Sequence, residues 1–337
     1  MKTHERIHGV KIYDTQRDFS SLFEEWRTLG INSAFVSGHL LSRNSFRDMA
    51  HAVGIPLFVI LPIFYDKKAL KASPELFAVT NQGENAEDEW VRFVCPSREE
   101  FIQKKIETII NLIREFQPDG ISLDFIRHFV FWEKVHPDRK VKTIPNTCFD
   151  NTCVSAFQEK LNIEIPDFEG DVMRLSKWIM DTYPDDWVNW KCELITKTVH
   201  RIHDAVRQEF PTCLINLHAV PWREMDFEGA VKSVAGQNIE ALSIYADMVS
   251  PMCYAHMLKR DSSWIHSVVE DVSRRSKVRV VPSIQVREHY LPERLTVDEF
   301  QRSLSAALRP PSTGVVYWSW NALEEDPQKK EIIRSTI

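Results

Sequence analysis

Short apolar runs alternate with longer amphipathic stretches along the whole chain. Apolar runs rich in β-branched and aromatic residues predict buried strands, whereas apolar residues that recur every three or four positions predict helices. We predict eight strands: Gly9–Tyr13, Ile31–Ser37, Ile55–Phe64, Asp119–Asp124, Cys213–His218, Met248–Tyr254, Val278–Val286 and Gly314–Trp320. The third strand is so apolar that we expect it to be buried on both faces.

The predicted helices lie between these strands and after the last one. They cover Asp18–Leu29, Ser45–Val53, Arg98–Glu115, Val154–Leu161, Trp187–Gln208, Ile239–Tyr245, Ser263–Arg274, Val297–Leu308 and Pro327–Ile333. Such alternation is typical of parallel βα units, so we predict the α/β class and one (β/α)8 TIM barrel, a single domain over residues 1–337. The long segments 65–96 and 129–171, after strands 3 and 4, are expected to cover the mouth. A doubly wound open sheet is the alternative, but no glycine-rich phosphate loop follows strand 1.

Composition and charge narrow the range of partners. The chain has 337 residues, with 43% hydrophobic and 27% charged positions, as in ordinary globular proteins. A net charge of −6 argues against a nucleic-acid partner, because nucleic-acid binders usually carry a basic stripe. No apolar run approaches the ~20 residues of a membrane span. The first residues do not resemble a signal segment, so we expect a cytoplasmic protein, or a secreted or periplasmic one if the sequence is trimmed. The oligomeric state stays open.

The six cysteines do not form a C-x-x-C pair. We therefore expect no structural zinc site, no other metal and no cofactor. Cys148 and Cys153 are close enough in sequence to form a disulfide in an oxidising compartment, whereas free buried thiols are the alternative.

Strand 4 delivers the main candidate for chemistry. Side chains alternate along a strand, so Ser122 and Asp124 share one face while the apolar residues between them share the other. The apolar face is expected to meet the helices, which directs Asp124 into the barrel at the end where active sites of this fold lie. A carboxylate in that position either takes part in chemistry or pairs with Arg127 to brace the mouth. Asp119, at the opposite end, is expected to cap a turn.

Other strand ends carry aromatic residues and neutral hydrogen-bonding groups, the mixture that binds sugar rings and their hydroxyls. The predicted substrate-binding residues are Tyr65, Arg127, His128, Asn216, His218, Trp222, Tyr254, His256, Gln285, Trp318 and Trp320. Core packing is the alternative for each aromatic residue. Glycoside cleavage usually needs a second carboxyl group. Glu224, after strand 5, is the first choice for it, and Glu288, after strand 7, is the second.

Two family resemblances bear on this site. The stretch from Asp119 resembles the strand-4 signature D-G-x-D-x-D-x-E of the chitinase-like family 18 glycoside hydrolases, with Asp119, Gly120 and Asp124 matching. Ser122 replaces the middle acid, and Ile126 replaces the glutamate that the family uses in catalysis. Met252-Cys253-Tyr254 resembles the M-x-Y of strand 6 in that family, and Gly314 through Trp318 resembles its G-x-x-x-W.

A closer resemblance is to barrels described as family 10 glycosylhydrolase-like. Their D-G-I-x-L-D-[YF]-I-R strand is similar to Asp119 through Arg127, and their D-x-[IV]-S-P-M-x-Y strand is similar to Asp247 through Tyr254. Trp187 through Thr196 resembles their W-x-x-[WF]-[RK]-x-x-x-[IV]-T helix. The resemblance covers roughly residues 90 to 320 and implies a TIM barrel that acts on carbohydrate.

The leading hypothesis is a glycoside hydrolase of a polysaccharide or oligosaccharide, with Asp124 as nucleophile or stabilising carboxylate and Glu224 as acid/base. A non-catalytic carbohydrate-binding barrel is the alternative, because Ile126 replaces the chitinase glutamate. A barrel enzyme of other chemistry, such as a lyase or isomerase, is a third possibility that a metal or phosphate at the mouth would favour.

Overall fold

The computed structural model describes residues 6–336 and contains one curled parallel sheet. We number its strands β1 to β8 along the chain, and β7 has two segments. The strands are β1 (Ile7–Ile12), β2 (Ser33–Val36), β3 (Leu57–Pro62), β4 (Gly120–Asp124), β5 (Leu214–Ala219), β6 (Met248–Pro251), β7 (Arg279–Val280 and Ser283–Gln285) and β8 (Gly314–Trp318). A small antiparallel hairpin, Glu87–Asp88 with Val91–Arg92, lies outside this sheet.

The sheet closes on itself. Each strand from β1 to β6 pairs in parallel with the next, and β8 pairs with β1. The first segment of β7 pairs with β6, the second pairs with β8, and a bridge between Met252 and Ser283 joins β6 to the second segment. The predicted α/β barrel is therefore confirmed. Strand 7 differs in being interrupted around Pro282, which lacks the N–H that a ladder needs.

Helices surround the sheet. Their bounds are Phe19–Thr28, Gly38–Leu41, Asn44–Val53, Lys67–Ala72, Glu99–Phe116, Asn151–Leu161, Val172–Thr182, Pro184–Glu209, Ala230–Ser233, Ile239–Leu242, Ser263–Arg275, Val297–Leu308, Trp320–Glu324 and Pro327–Thr336. Short 3-10 turns cover Pro74–Leu76, Trp132–Lys134, Val141–Thr143, Asp226–Glu228 and Ser243–Tyr245. Across residues 6–336, no helix combines the length and the apolar character that crossing a membrane requires.

The lower part of the barrel is packed with side chains. A buried cluster of inward-facing residues fills it: Ile7, Phe35, Phe58, Met248, Val281 and Val316. Gly120 is required at the start of β4, because a Cβ there would lie 2.4 Å from the Phe58 ring and 2.8 Å from the Leu214 carbonyl oxygen. Asp119 accepts a hydrogen bond from the Leu57 N–H at 2.9 Å, which ties the start of β3 to β4. This packing fixes the position of β4 along the barrel axis and therefore the position of Asp124 at its end.

Candidate active site

Asp124 is the last residue of β4 and points into the mouth of the barrel. Its carboxylate is partly shielded, with 17% of the side chain exposed. The Phe125 N–H donates to Asp124 Oδ1 at 2.8 Å, and Phe125 adopts a left-handed backbone conformation with φ of 50°. Non-glycine residues avoid this conformation, and such strain concentrates at functional sites. The turn therefore stops the strand and holds the carboxylate in place.

A column of buried polar groups supports Asp124 from below. Ser250 donates to Asn216 Oδ1 at 2.9 Å, and Asn216 Nδ2 donates to Ser122 Oγ at 2.7 Å. Ser122 Oγ lies 3.1 Å from His218 Nε2, and His218 Nδ1 lies 3.2 Å from Asp124 Oδ2. Because the Asn216 amide donates to Ser122, the serine hydroxyl is free to donate to Nε2. That arrangement leaves the imidazole proton on Nδ1, facing the carboxylate.

This Ser-His-Asp order resembles the triad of serine hydrolases, but its direction is reversed. Ser122 is fully buried inside the barrel, whereas Asp124 faces the mouth. A nucleophile must contact the substrate. Of this column, the Asp124 carboxylate lines the cavity and Ser122 does not. The histidine and serine therefore orient Asp124.

The local electrostatics keep Asp124 ionised. Burial would raise its pKa, but the His218 imidazole, the Lys11 ammonium and the Phe125 N–H together hold the pKa well below its ordinary value. Burial and the charge of Lys11 lower the pKa of His218, although Asp124 acts against them. Burial also lowers the pKa of Lys11 to about 8, and its Nζ donates to the Tyr254 hydroxyl at 3.2 Å. At neutral pH the site thus holds a carboxylate beside an uncharged imidazole.

Asp124 opens into a cavity of about 580 Å³, within the ~300–1,000 Å³ range of small-molecule sites. Its walls are mostly aromatic. Trp318 stacks on Tyr254 with ring centroids 4.5 Å apart, and Tyr65 stacks on Phe125 at 4.7 Å. The other lining residues are Lys11, Tyr13, Ser37, Gly38, Ile60, Pro62, Trp90, Arg127, Trp132, Glu133, Met252, His289 and Tyr290. Flat aromatic faces together with charged groups suit a ring that carries hydroxyls.

A second carboxyl group, Glu133, lines the same cavity. It lies in the 3-10 turn Trp132–Lys134, within the long segment after β4. Burial raises the pKa of Glu133 to about 7, and the nearby charge of Asp124 acts in the same direction while Arg127 opposes it. Its Oε2 is buried without a hydrogen-bond partner. Glu133 is thus protonated over part of the neutral range while Asp124 stays ionised.

Glu133 is not among the site residues predicted from the sequence. The segment after strand 4 was expected to cover the mouth, but it contains several acids and follows no strand or helix period that would show which one faces inward. Its aromatic neighbours Phe131 and Trp132 were the one available signal, because they predict a buried turn.

The structure brings four of the predicted binding residues to the cavity: Tyr65, Arg127, Tyr254 and Trp318. Arg127 is almost fully buried, and its Nη1 donates to the backbone oxygens of His128 and Val130 at 3.2 and 2.8 Å. It lies over the Phe93 and Phe125 rings. Arg127 therefore braces the loop after β4, while Asp124 lies against His218.

The other predicted binding residues do not line the cavity. Asn216 and His218 lie beneath it, in the polar column. His256 lies 3.0 Å from Glu299 through Nδ1, and Gln285 accepts from the Met257 N–H at 2.9 Å. These two side chains connect loops around the mouth.

His128, Trp222 and Trp320 are buried away from the cavity. His128 Nε2 lies 3.3 Å from the Lys191 carbonyl oxygen. Trp222 packs on Phe227, and Trp320 packs edge-on against Trp26.

The two acids proposed from sequence also lie apart from the cavity. Glu224 is paired with Lys232 at 3.0 Å, with 42% of its side chain exposed. That pairing lowers the pKa of Glu224, so the group is a poor proton donor at neutral pH. Glu288 Oε2 accepts from the Leu295 N–H at 3.2 Å in the loop after β7. Among the described residues, the acids that line the cavity are Asp124 and Glu133.

Metal-ligating groups converge at one place within residues 6–336. The side chains of Cys95, Cys148 and Cys153 are buried there, and their sulfur atoms all lie within 4.8 Å of one another. This cluster is separate from the residues that line the cavity.

Several solved protein structures share the fold of this chain. No described protein family matches the chain, and no curated protein matches it. Among solved structures, it is similar to the glycoside hydrolase domain of PgaB (BpsB) from Bordetella bronchiseptica, with a TM-score of 0.71, 14% identity and 98% of both chains covered. It is also similar to β-galactosidases from Marinomonas ef1 and Halorubrum lacusprofundi, both with TM-scores of 0.68, at 10% and 11% identity.

The extent of these similarities differs. The alignment covers 97% of this chain in both cases, but only 58% of the Marinomonas enzyme and 57% of the Halorubrum enzyme. The chain thus spans a little over half the length of those β-galactosidases. At 10–14% identity the likeness shows the barrel fold.

Proposed function

We propose that this protein is a glycoside hydrolase in which Asp124 is the ionised carboxylate and Glu133 is the general acid. The observation that carries the proposal is the presence of both carboxyl groups in one aromatic-lined cavity, with their pKa values shifted in opposite directions. Glycoside cleavage needs one protonated and one ionised carboxyl group, because one group must protonate the leaving oxygen while the other faces the positive charge at the anomeric carbon. The structural similarity to glycoside hydrolases supports the proposal.

Each group has a defined task in the reaction. The Glu133 carboxylic acid donates its proton to the glycosidic oxygen as the bond to the anomeric carbon breaks. The Asp124 carboxylate, oriented by His218, stabilises or attacks the oxocarbenium-like carbon. Stacking of a sugar ring on Trp318 or Tyr65 would hold the substrate between the two acids. Lys11 balances the charge of Asp124 from the floor of the cavity.

The test is hydrolysis of a panel of oligosaccharides, followed by comparison of variants on a cleaved substrate. Asp124→Asn is expected to abolish measurable turnover. Glu133→Gln is expected to lose about 10²–10⁴-fold with a natural leaving group. With an activated aryl glycoside the loss at the bond-breaking step should be much smaller, because such a leaving group needs little protonation.

Glu224→Gln is the matched comparison, because Glu224 was the first choice from sequence. Near wild-type activity is expected for it, since the side chain is paired with Lys232 outside the cavity. A large loss in Glu224→Gln together with full activity in Glu133→Gln would reverse the assignment of the acid. Full activity in Asp124→Asn would overturn the proposal.

A carbohydrate-binding barrel without catalysis is the second candidate. It is favoured by Ile126, which is buried at the position where the chitinase-like pattern has its catalytic glutamate. In that case a glycan would bind to the cavity, measured by calorimetry, and no product would appear on prolonged incubation. Trp318→Ala would then weaken binding, while Glu133→Gln would not.

A further inference from the structure

Three cysteines from distant parts of the chain meet in the protein interior. Cys95 ends the segment after β3, Cys148 lies in the segment after β4, and Cys153 is in the first turn of the helix Asn151–Leu161. Their sulfur atoms all lie within 4.8 Å of one another, and the three side chains are fully buried. None of the three forms a disulfide.

The spacing of the sulfur atoms fits a metal site. Zinc–thiolate bonds of about 2.3 Å in a tetrahedron place sulfur atoms roughly 3.8 Å apart. A C-x4-C pair with a third cysteine far away in sequence escapes the usual C-x-x-C signature, which is why the sequence predicted no metal. Only the fold brings Cys95 to the other two.

Two backbone N–H groups point at sulfur atoms of the cluster. The Ser97 N–H donates to Cys95 Sγ at 3.4 Å, and the Val79 N–H donates to Cys148 Sγ at 3.3 Å. Such backbone donors orient metal ligands and stabilise their charge. Cys153 lies in a helix N-terminal turn capped by Asp150, which accepts from the Cys153 N–H at 2.7 Å.

A buried ammonium near the cluster supplies a matching charge. Lys191 is fully buried, and its Nζ donates to neutral oxygens only: the Asn146 amide, the Ser233 carbonyl at 2.7 Å and the Val234 carbonyl at 3.1 Å. Burial lowers the pKa of Lys191 to about 7, and negative charge at Cys192, Cys153 or Cys148 acts in the opposite direction. A divalent cation with three thiolates carries a net charge of −1, which one ammonium neutralises.

We propose that Cys95, Cys148 and Cys153 bind one zinc ion that joins the segments after β3 and β4. A water molecule as the fourth ligand would offer a partner to buried hydroxyls next to the site, since Ser97 Oγ and Thr147 Oγ1 lack one. The site is structural. It fixes the two segments that carry Trp90 and Glu133 to the cavity, and it does not depend on which reaction the cavity supports.

The first test is the metal content of the full-length protein, produced under reducing conditions with zinc in the medium and measured by plasma mass spectrometry. One zinc per chain is expected for the wild type. Cys95→Ser, Cys148→Ser and Cys153→Ser are each expected to lose it. Cys192→Ser is the control, because Cys192 is also buried but lies outside the cluster, and it should keep the metal.

The second test uses the wild type alone, so it remains decisive if the serine variants do not fold. Cobalt exchanged for zinc should give sulfur-to-cobalt charge-transfer absorption and the visible bands of a tetrahedral site. Removal of the metal by a chelator should lower Tm, and zinc should restore it. Substoichiometric zinc together with the absence of cobalt–thiolate absorption would overturn the proposal. So would a Cys148–Cys153 disulfide found by mass spectrometry in the protein made under reducing conditions.

Discussion

Two carboxyl groups in one cavity differ in ionisation because their surroundings differ. Asp124 accepts a backbone N–H and lies between His218 and Lys11, which favour the charged form. Glu133 is half-buried in the same cavity, its Oε2 is shielded from solvent without a hydrogen-bond partner, and this desolvation raises its pKa. The separation of their pKa values therefore depends on a few neighbours, each of which can be replaced.

Replacing Glu133 by Gln is expected to change how stability depends on pH. The folded state raises the pKa of Glu133 to about 7 from its ordinary 4.5, so the folded protein binds the proton more tightly than the unfolded chain. Stability from this group is present below pH 4.5 and is lost as pH rises toward 7, by up to roughly 3 kcal/mol. Urea unfolding of both proteins between pH 4.5 and 8 measures the difference. If wild type and variant change in parallel across this range, the raised pKa is wrong.

Replacing His218 by Asn is expected to change both the pKa of Asp124 and the stability of the fold. The change removes the group facing Asp124 and leaves Ser122 with one partner fewer, which costs about 1–3 kcal/mol. The pKa of Asp124 should rise, because its strongest favourable neighbour is gone. Carbon-13 NMR titration of the aspartate carboxyl groups measures that shift. His256→Asn is the control, since His256 pairs with Glu299 away from the cavity, and it should leave the titration of Asp124 unchanged.

At the scale of elements, strand alternation was enough to find Asp124, because β4 runs straight from Gly120 to the carboxylate. Strand alternation did not predict the position of Trp320. The predicted strand extended to that residue, whereas β8 ends at Trp318 and a helix begins at Trp320, which turns its side chain into the core. Residues beyond a strand end no longer follow its alternation, as with His256, which lies five residues past the end of β6 at Pro251.

The two tryptophans at the end of β8 provide a matched pair. Trp318→Ala removes a cavity wall and is expected to weaken glycan binding with little loss of stability, because its side chain is partly exposed. Trp320→Ala empties a fully buried site against Trp26 and should cost about 3–5 kcal/mol. Calorimetric unfolding and glycan titration of both variants measure the two effects. Equal losses of binding in two stable proteins would show that Trp320 also contacts the ligand.

Replacing Gly120 by Ala tests the packing that fixes the position of β4 along the barrel axis. In Gly120→Ala the new methyl group would overlap the Phe58 ring, so the strand must shift, at a cost of about 1–3 kcal/mol. Gly38→Ala is the control: its nearest neighbour is 3.9 Å away, and it begins a helix, so stability should stay the same or rise. Denaturant unfolding of the two variants gives the comparison. A neutral Gly120→Ala would mean that β4 can move without loss.

At the scale of the whole molecule, the barrel was predictable from the alternation of strands and helices, whereas its mouth was not. The segment after β3 was expected to be a loop, but it contains a helix, Lys67–Ala72, and a hairpin around Trp90. The contacts of this segment are with residues far away in sequence, so local sequence patterns do not predict them. The same holds for the cluster of Cys95 with Cys148 and Cys153.

Trp90 connects three loops over the cavity, and its removal tests whether they act together. Its ring contacts Phe125 and Phe131 in the segment after β4. Its Nε1 donates to the hydroxyl of Tyr290, in the segment after β7, at 2.7 Å. Trp90→Ala is expected to speed amide hydrogen exchange in the segments after β3, β4 and β7 together. Glycan affinity should fall up to about tenfold, because aromatic contacts contribute roughly 0.5–1.5 kcal/mol.

Trp178→Ala is the matched control for this change. Trp178 is a half-buried tryptophan that packs between Phe168 and Tyr183, outside the residues that line the cavity. Its replacement should speed exchange only around the helix Val172–Thr182 and leave glycan affinity unchanged. Exchange that accelerates in Trp90→Ala only in the segment after β3 would mean that the three loops move independently. In that case each loop would shape the cavity by itself, and the Trp90 contacts would add only local order.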